Sequence, residues 1–521
     1  MSFKPPQSSA PISRQSPPIL RPKRGRRYVA TAAILGAPLL ALGAFVPSAA
    51  GAPSPALTVA TGASDGVDLL EQIDAPTTST ADGPVWSAGA TGFASLPTAD
   101  LPDGTTGGAG GDIVTVDDPA ELTAAAASAE PLTILVDGTI DVGDGSMIKV
   151  AANKTIAGGR DGGEIVDGGL FVDRVFNVII RNLTFRDSFI GADWDGKSPE
   201  NDNDGIRVDT SHHVWVDHNE FTRLGDGQLD IRKDSTAVTA SWNVFRDHNK
   251  TLGVGWTDNV VTTLTVHHNR FSNVHQRNGS LDNVAAGHVY NNWLSGVSSY
   301  GMNARGAQTQ LVVESNVFEH ARNPLIGEGA VFQQDNIFDD VWGEQIRDTG
   351  PTFVPSAHYD YAADDVDDVR KLLEKHAGPV HRTPDDAERR VTVAQDGSGD
   401  YLSIHAAVGA ASRSSHPVEI LVQPGTYREV VSIWPDADRL TIRGASGNPA
   451  DVVITYDKAS NDWPTLNVLA DRVTLRGLTL ENTHHDPAGP ATAYALRDAG
   501  AGTTLDDVVV LGDTLFEGED R

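Results

Sequence analysis

Six segments of the chain share one template, and their regular spacing is the strongest constraint on the fold. They read HVWVDHNEF, AVTASWNVF, TLTVHHNRF, GHVYNNWL, QLVVESNVF and VFQQDNIF. Their last apolar residues are separated by steps of 24, 26, 23, 24 and 20 residues, at Phe221, Phe245, Phe271, Leu294, Phe318 and Phe338. Steps of this size are expected when each coil of a parallel β-helix supplies about one short strand per face. The repeat therefore predicts an all-β, coiled architecture.

An asparagine stands two positions before each of these apolar residues. The six are Asn219, Asn243, Asn269, Asn292, Asn316 and Asn336. Amide side chains stacked at the same corner of successive coils can hydrogen-bond along the stack and satisfy the backbone at a turn. The alternative is that asparagine merely favours turns at these places. Because the six recur in register, we predict the ladder.

Helices are predicted at both ends of the repeats. After a first strand at residue 112, Asp118, Pro119 and Glu121 supply an N-cap, a helix-start proline and a capping-box acid ahead of an alanine-rich run. We expect this helix to plug the end of a sheet. A second, amphipathic segment begins at Asp364 and ends at Gly378, and we expect it to lie against the outside of the coil.

The first hundred residues predict export. Residues 1–50 combine a basic start, an apolar run and small residues at the end, which is typical of a cleaved signal peptide, although a transmembrane anchor is the alternative. Arg26 and Arg27 leave both Sec and Tat export open. Residues 51–111 are rich in Gly, Ala, Ser, Thr and Pro without periodicity, so we expect a disordered linker. The mature protein is then secreted and extracellular, with no membrane contact after cleavage.

The net charge and the absence of cysteine limit which binding partners and which metal ligands are expected. The chain has a formal net charge of -30 and no cysteine. Such a surface repels nucleic acid and anionic membranes, so neither is expected as a partner. Without thiolates, any bound cation needs oxygen or imidazole ligands.

Candidate site residues lie on consecutive short strands between Asn201 and Asp282. They are Asp202, Asp204, Asp226, Asp230, Lys250 and Arg277. Acids two or four apart on a β-coil can project to one face and converge with acids from the next coil. Calcium prefers about six to eight hard oxygen ligands. We therefore predict a metal site beside a cationic pocket, although each residue alone could be a turn former or an ordinary surface cation.

Histidines crowd the same stretch and raise the alternative of a zinc site. They are His212, His213, His218, His248, His267, His268, His275 and His288. Most follow the repeat template. Neighbours such as His267 and His268 should point to opposite faces of a strand and could not easily share an ion, which disfavours zinc.

The motifs DNDGIRVD, VWVDHNEF, DGQLDI, HNKTLG and VHQRNG occur in the order and spacing of a known family. Together they resemble the pectate lyase family of right-handed parallel β-helix enzymes, over about residues 112–380. The resemblance implies that Lys250 binds substrate and takes part in catalysis, and that Arg277 is the catalytic base. Arg232 is a further candidate for substrate binding. It also implies that Ca²⁺ is held by Asp202, Asp204, Asp226 and Asp230.

The resemblance implies β-elimination on α-1,4-polygalacturonate or pectin. Calcium would acidify the C5 proton of a uronate, a base would remove it, and 4,5-unsaturated oligogalacturonides would result. A guanidinium is a poor base, because it is normally always protonated. Calcium and Lys250 would have to lower the pKa of Arg277 by repulsion between like charges, so its role rests on the resemblance.

One departure from the family affects substrate binding. Five positions after Arg277 the family commonly has an arginine that grips substrate, and this chain has Asp282; Gly279 also replaces a usual proline. We expect a differently shaped loop and a preference for partly methylated pectin. Arg305, in SYGMNARG, is a candidate to supply the missing cation.

The last part of the chain resembles a second β-helix family. After an expected linker at 381–389, residues 390–521 read VTVAQDGSGDYLSIHAAV, VEILVQPGTYREVVSI and LGDTLF, like the opening half of pectin methylesterases (pectinesterases). Asp513 falls on the family's acid/base aspartate, whereas Thr492 and Gly512 occupy its glutamine positions. The nucleophile and arginine would lie beyond Arg521. We expect an incomplete or degenerate esterase, and hence two consecutive β-helical domains with the second truncated.

The combined expectation is a secreted, calcium-dependent pectate lyase that is a monomer and has pectin or polygalacturonate as its partner. Two alternatives stay open. The chain could be a pectin methylesterase with an accessory lyase domain, or a non-catalytic pectin-binding β-helix protein. Unsaturated product favours the lyase, methanol release favours the esterase, and binding without either favours the third.

Overall fold

The computed structural model describes residues 87–521 except 192, 197, 199–200, 347, 381–388, 460–463, 486–492 and 518–521. The predicted signal peptide, the first part of the predicted linker and most of the linker at 381–389 lie outside the described residues. Within the described part, no helix is long and apolar enough to cross a bilayer.

The repeat region folds into 21 strands that pair in parallel. In chain order they are Asp112–Val116 (β1), Leu132–Val150 (β2), Lys154–Asp173 (β3), Phe176–Arg181 (β4), Thr184–Arg186 (β5), Ile206–Asp209 (β6), His212–Asp217 (β7), Glu220–Thr222 (β8), Gly227–Arg232 (β9), Thr236–Ser241 (β10), Val244–Gly255 (β11), Thr262–His267 (β12), Arg270–Asp282 (β13), Val284–Tyr290 (β14), Trp293–Val297 (β15), Met302–Arg305 (β16), Gln310–Glu314 (β17), Val317–Arg322 (β18), Leu325–Gly327 (β19), Ala330–Gln334 (β20) and Ile337–Trp342 (β21).

The pairings divide these strands among three faces. Sheet I contains β1, β4, β7, β10, β12, β14, β17 and β20 with the first parts of β2 and β3. Sheet II contains β5, β8, β15, β18 and β21 with parts of β2, β3, β11 and β13. Sheet III contains β6, β9, β16 and β19 with the last parts of the same four long strands. The predicted parallel β-helix is confirmed.

The core of this β-helix is a column of inward side chains in register. Phe221, Phe245, Phe271, Leu294 and Phe318 pair with one another across successive coils of sheet II and are fully buried. Ring centroids of Phe221 and Phe245 lie 5.1 Å apart and stacked. The repeat spacing therefore reports the coil length directly.

The asparagine ladder is confirmed at the turn between sheets I and II. Each amide donates to the Oδ1 of the next, over 3.1 Å from Asn219 to Asn243 and 2.9 Å from Asn243 to Asn269. The series continues through Asn292, Asn316 and Asn336 at 2.9 to 3.0 Å. Because each Oδ1 also accepts a backbone N–H, the ladder satisfies the buried turn.

Both predicted helices are present. Helix α1 (Pro119–Ala126) is capped by Asp118, whose carboxylate accepts from the N–H groups of Ala120 and Glu121. Its Leu122 is buried in the β-helix core, so the helix closes that end of the coil. Helix α2 (Val369–His376) follows a 3-10 turn, Val366–Asp368, and packs Val369 and Leu373 against the outside of the coil.

The expectation of an unfolded linker is wrong for residues 87–111. This arm contains a 3-10 helix, Gly92–Ser95, and Phe93 is buried against Tyr359 on the outer side of sheet I. Its backbone N–H groups bond the Thr265 and Thr239 hydroxyls at 3.0 and 3.1 Å. Glycine allows this approach, since a Cβ at Gly92 would lie 2.4 Å from Thr265 Oγ1. Small residues and backbone contacts replace the apolar periodicity that a packed segment usually shows.

The C-terminal part, residues 389–517, forms a second coil of parallel strands around its own core. Its strands are Arg390–Val393 (β22), Glu419–Val422 (β23), Gly425–Arg428 (β24), Val431–Ile433 (β25), Thr441–Gly444 (β26), Val452–Tyr456 (β27), Leu466–Val468 (β28), Thr474–Asn482 (β29), Tyr494–Asp498 (β30), Thr504–Leu511 (β31) and Asp513–Phe516 (β32). Helix α3 (Ile404–Ser412) buries Ile404 and Val408 in this core. The 3-10 turns Pro355–Ala357 and Pro449–Asp451 complete the helices of the described chain.

The second coil is open along its last strands. β31 pairs with β29 and β32 with β30, and both strands are largely exposed. Leu505, Val509, Leu511 and Phe516 are 40 to 63% exposed.

Candidate functional site

The candidate acids lie on the outer face of sheet III and on the loop before it. Successive coils in sheet I are separated by 20 to 26 residues, but Arg181 and Asp217 in neighbouring coils are 36 apart. The extra residues lie between β5 and β6, and we call the described residues of 187–205 the site loop. It carries Asp202 and Asp204 to the edge of sheet III, where β9 supplies Asp230.

Three of the four predicted metal ligands come together. Carboxylate oxygens of Asp204, Asp226 and Asp230 all lie within 4.8 Å of one another, and we call these residues the carboxylate cluster. Asp202 lies apart from it: its side chain is 58% exposed and accepts from Arg207 at 3.2 Å. Its assignment as a metal ligand stays a prediction from the sequence.

Arg207 is a site residue to which the sequence reasoning gave no role. Its Nε donates to Asp204 Oδ2 at 2.5 Å, and its guanidinium also bonds the backbone oxygen of Asp202 at 2.9 Å. The residue stands in IRVD, directly opposite Asp230 in the strand register. The outward alternation of this strand was the available signal, since Arg207 falls between two buried apolar residues.

Burial and mutual repulsion perturb the cluster. Burial raises the pKa of Asp204 to about 6, although Arg207 opposes the rise. Burial and the charges of Asp204 and Asp226 raise the pKa of Asp230 well above its usual range, and Arg277 and Arg232 offset only part of this. Holding these carboxylates together as anions therefore costs free energy, which a cation between them would recover.

The donor set fits an oxygen-preferring divalent cation. Asp230 is 1% exposed, and neither of its carboxylate oxygens has a hydrogen-bond partner among the described residues. A buried carboxylate with no partner is unfavourable unless a proton or a cation satisfies it. All three cluster side chains offer hard oxygen atoms, which are the ligands that calcium and magnesium prefer.

Lys250 closes one side of the cluster. Its Nζ donates to Asp226 Oδ1, and its side chain is 8% exposed. The lysine stands at the turn into sheet III, where it pairs with Gly227 of β9 and Gln276 of β13. The predicted substrate-binding lysine therefore lies next to the predicted metal ligands, and in the structure it bonds one of them.

Two predicted cations share one aromatic ring that the sequence reasoning missed. The guanidinium carbon of Arg277 lies 5.4 Å from the centroid of the Trp256 ring, and that of Arg232 lies 5.6 Å from it. Arg232 also bonds Asp209 at 2.9 and 3.2 Å. Trp256 is 46% exposed, so an aromatic surface flanked by cations faces solvent beside the cluster.

Two glycines in this region allow neighbouring side chains to approach the main chain of sheet III closely. Gly253 lies opposite Asp230 in sheet III, and a Cβ there would be 2.7 Å from Asp230 Oδ1 and 2.6 Å from Trp256 Cη2. At Gly255, which has a positive φ, a Cβ would be 2.7 Å from Cβ of Asp282. The two glycines therefore let Trp256, Asp230 and Asp282 lie directly against the main chain of sheet III. We call the outer surface of sheet III between the cluster and the arginines the groove.

A cleft next to the groove contains Asp282, which stands in place of the family's arginine, and Arg305, the candidate to supply the missing cation. Asp282 and Arg305 are partners in adjacent coils of sheet III and line a cavity of about 540 Å³ with Asn303 and Glu328. Arg305 is exposed. The structure thus places the predicted replacement cation beside the aspartate that replaces the usual arginine.

The histidines are arranged differently from the prediction. Nδ1 of His267 lies 2.8 Å from Nδ1 of His268, and the same distance separates Nδ1 of His212 and His213. The expectation that such neighbours point to opposite faces is wrong, because His213 and His268 adopt positive φ and leave the strand alternation. Among the described residues, groups of three or more side chains arranged to hold a metal consist of acids.

The predicted esterase residues fall at the open end of the C-terminal part. Asp513 is exposed in β32 and accepts from the N–H of Ala493 at 3.1 Å. Gly512 precedes it with a positive φ, and Thr492 lies outside the described residues. The acid/base role of Asp513 stays a prediction.

Comparison with known proteins agrees with this arrangement. Residues 69–349 match the sequence model of the pectate lyase family, and residues 390–518 match that of the pectinesterase family. The pectate trisaccharide-lyase of Thermotoga sp. (strain RQ2) is 37% identical over 324 residues, which cover 55% of this chain and 88% of that protein. The pectate trisaccharide-lyase of Bacillus licheniformis is 33% identical over 303 residues, covering 54% and 84%.

A solved structure was also matched. The crystal structure of a pectate lyase from Bacillus sp. N165 in complex with trigalacturonate aligns with 56% of this chain and 99% of its own, with 27% identity and a TM-score of 0.48. The family match spans more than half of the chain and contains the whole carboxylate cluster, Lys250 and Arg277. The chain belongs to the pectate lyase family of polysaccharide lyases.

Proposed function

We propose that this chain is a calcium-dependent pectate lyase that cleaves α-1,4-polygalacturonate to 4,5-unsaturated oligogalacturonides. The observation that carries the proposal is the carboxylate cluster, in which a buried Asp230 has two unpartnered oxygens beside Lys250 and Arg277. A hydrolase needs two carboxyl groups that flank a glycosidic bond. Here the acids converge on one another, which suits cation binding better.

Binding a polyanion to a protein of net charge -30 requires local positive charge. Lys250, Arg277 and Arg232 supply it along one edge of the groove. The residues that would hold calcium are Asp204, Asp226 and Asp230, with Asp202 as a further acid on the site loop. Trp256, which is 46% exposed, adds apolar surface for a sugar ring beside the two guanidinium groups that lie over its ring.

The reaction is a β-elimination within the galacturonate chain. When bound, calcium withdraws electron density from the uronate carboxylate and makes the C5 proton more acidic. Arg277 takes that proton, a role carried over from the family. The C5–H electron pair forms the 4,5 double bond and the C4–O bond breaks. The departing oxygen takes up a proton from solvent, and Arg277 releases the C5 proton to solvent. No water is consumed.

The neighbours of Arg277 support its position. Trp256 holds the guanidinium through its ring face, and Arg277 itself has a φ of 56°, which turns it out of the strand alternation. Lys250 neutralises a substrate carboxylate near the cluster. Lys250 would serve both partners, since its Nζ also donates to Asp226 Oδ1 in the carboxylate cluster.

The decisive experiment measures ultraviolet absorbance of unsaturated product from polygalacturonate, with and without a chelator. We expect activity that a chelator abolishes and added calcium restores. Arg277→Ala should abolish the absorbance and keep calcium binding by calorimetry, whereas Asp230→Ala should weaken both. An active Arg277→Ala protein would remove the assignment of the base.

Substrate preference is proposed from the cleft beyond the groove. Asp282 places a negative charge where an arginine is expected, and Arg305 lies beside it. We propose that this end accepts partly methylated pectin better than fully ionised chains. Assays on substrates of graded methylation test this, and a monotonic fall of kcat/KM with methylation would contradict it.

Export is proposed from the sequence alone. Residues 1–50 have the pattern of a signal peptide, and secretion suits an enzyme that acts on an extracellular polysaccharide. N-terminal sequencing of the protein recovered from culture medium tests this. An intact N-terminus on cell-bound protein would favour the membrane-anchor alternative.

A further inference from the structure

The site loop is held from the outside by the C-terminal part. Asp195, at the middle of the loop, is 5% exposed. Arg428 of β24 donates to its Oδ2 at 3.0 Å, and the Tyr456 hydroxyl of β27 donates to its Oδ1 at 2.7 Å. The buried carboxylate is bonded by a cation at one oxygen and by a hydroxyl at the other. Both partners stabilise it, because removal of either one leaves a desolvated charge.

Apolar side chains surround this contact. Phe189 and Trp194 of the site loop form one buried cluster with Val430 and Tyr456 of the C-terminal part. The guanidinium of Arg428 also lies over the Tyr456 ring, 4.9 Å from its centroid. Burial, and after it the negative charge of Asp195, raises the pKa of Tyr456, so the phenol stays a hydrogen-bond donor. The loop therefore packs against the second coil as a core element would.

The other side of the same loop touches the candidate site. A Cβ at Gly196 would lie 2.8 Å from Asp226 Oδ1, so the residue after Asp195 lies directly against the carboxylate cluster. The carbonyl of Trp194 accepts from Asn249 Nδ2 at 2.6 Å, and Asn249 Oδ1 accepts from Gln276 Nε2 at 2.9 Å. Asn249 precedes Lys250, and Gln276 precedes Arg277 in the chain.

We infer that Arg428 and Tyr456 are positioning residues for the metal site, and that the C-terminal part acts as a buttress without which the carboxylate cluster loses its geometry. This inference rests on the proposed function. Displacement of Asp195 would move Gly196 and Trp194, and with them the residues that set Asp226, Lys250 and Arg277. The pectinesterase-like part thus serves the lyase site.

The test uses the full chain and two substitutions that differ in severity. Arg428→Met removes the cation and keeps an unbranched stem, whereas Tyr456→Phe removes only the hydroxyl. Calcium alone is titrated into each protein by calorimetry. We expect calcium to bind about tenfold more weakly to Arg428→Met, equivalent to about 1.4 kcal/mol. The loss of calcium affinity should be smaller for Tyr456→Phe. A third variant, Arg428→Lys, keeps the positive charge and should recover part of the affinity.

Arg443→Met is the matched control. Arg443 has the same side-chain exposure as Arg428, 29%, and its Nε bonds Glu419 at 2.9 Å within the C-terminal part. The control should bind calcium like the wild type. Equal losses in Arg443→Met and Arg428→Met would show general destabilisation and overturn the inference, as would wild-type calcium affinity in both Arg428→Met and Tyr456→Phe.

A second readout separates this inference from the proposed function. Amide hydrogen exchange of residues 189–196 should quicken in Arg428→Met and Tyr456→Phe but not in Arg443→Met, with no metal present. If Asp230→Asn and the wild type bind calcium equally, the proposed function fails, and exchange still decides whether the C-terminal part holds the loop. Unchanged exchange in both variants would refute the buttress. Tyr456→Phe decides the question if Arg428→Met does not fold.

Discussion

Lys250 and Asp226 are bonded to each other through Nζ and Oδ1, although the sequence assigns the lysine to the substrate and the aspartate to the metal. An ammonium beside the cluster neutralises part of its charge and competes with a bound cation. We therefore expect the lysine to tune metal affinity as well as to bind substrate.

The first prediction is that Lys250→Met binds calcium more tightly, by about fivefold, the size expected for a weak ion pair. At the same time kcat/KM on polygalacturonate should fall by about two orders of magnitude, because the substrate carboxylate loses its charged partner. Calorimetry and the product absorbance measure the two effects separately. Weaker calcium binding in this variant would show that Lys250 organises Asp226 instead of competing for it.

The second prediction concerns the groove floor. Gly253→Ala places a methyl group against Trp256 and Asp230, and overpacking of this kind costs about 1 to 3 kcal/mol. We expect weaker calcium binding and lower kcat. Gly159→Ala is the control, because its Cβ would meet its nearest neighbour at 3.4 Å, an ordinary contact. Equal behaviour of the two variants would mean that the floor tolerates a side chain.

The third prediction tests the asparagine ladder. Asn269→Ala removes the Oδ1 that accepts from the backbone and side chain of Asn243 and the amide that donates to Asn292. Buried groups left unpaired should lower the free energy of unfolding by about 3 kcal/mol. Asn336→Ala, at the half-buried end of the ladder, should cost less, because water can replace its bonds. Thermal melting gives the loss of stability in each variant. Equal losses would contradict the expectation that the buried rung of the ladder contributes more than the half-buried one.

The fourth prediction is a pH dependence of the C-terminal part. Burial raises the pKa of Glu429 from 4.5 to about 7, although its carboxylate accepts from the N–H groups of Ile404 and His405. The folded state therefore holds this proton more tightly than the unfolded state. Its contribution to stability is fully present below pH 4.5, falls as pH rises towards about 7, and is lost above that.

Glu429→Gln removes this dependence, since the amide oxygen can still accept a backbone N–H but cannot ionise. Above about pH 7 the variant should be more stable, by an amount on the order of 3 kcal/mol, and the difference should narrow in acid. Thermal melting at both ends of the range measures it. A variant that is less stable than the wild type in alkali would show that the carboxylate is needed as an anion.

Much of the fold followed from local pattern, because a coil repeats the same environment. Phe221 and Phe245 occupy equivalent positions, so their spacing alone gave the coil length, and Asn219 and Asn243 gave the ladder. The convergence of Asp204, Asp226 and Asp230 followed in the same way, since the acids fall on neighbouring coils.

What could not be predicted depends on departures from strand alternation and on distant contacts. Arg277, Trp256 and His268 all adopt positive φ, so a period of two does not give the direction of their side chains. The arm at 87–111 docks through hydroxyls more than a hundred residues away, which local composition does not show. The contact of Asp195 with Arg428 likewise joins residues 233 apart.

Because of the phenylalanine column and the asparagine ladder, the chain can change in length only by whole coils without losing register. An insertion of a few residues within a strand would shift a ring and an amide out of line at once. Loss or gain of one whole coil, such as the stretch from Trp293 to Asn316, would keep the phenylalanine column and the asparagine ladder in register on both sides. The chain lengths of relatives should therefore differ by whole coils, and these coils should lie outside those that carry the carboxylate cluster.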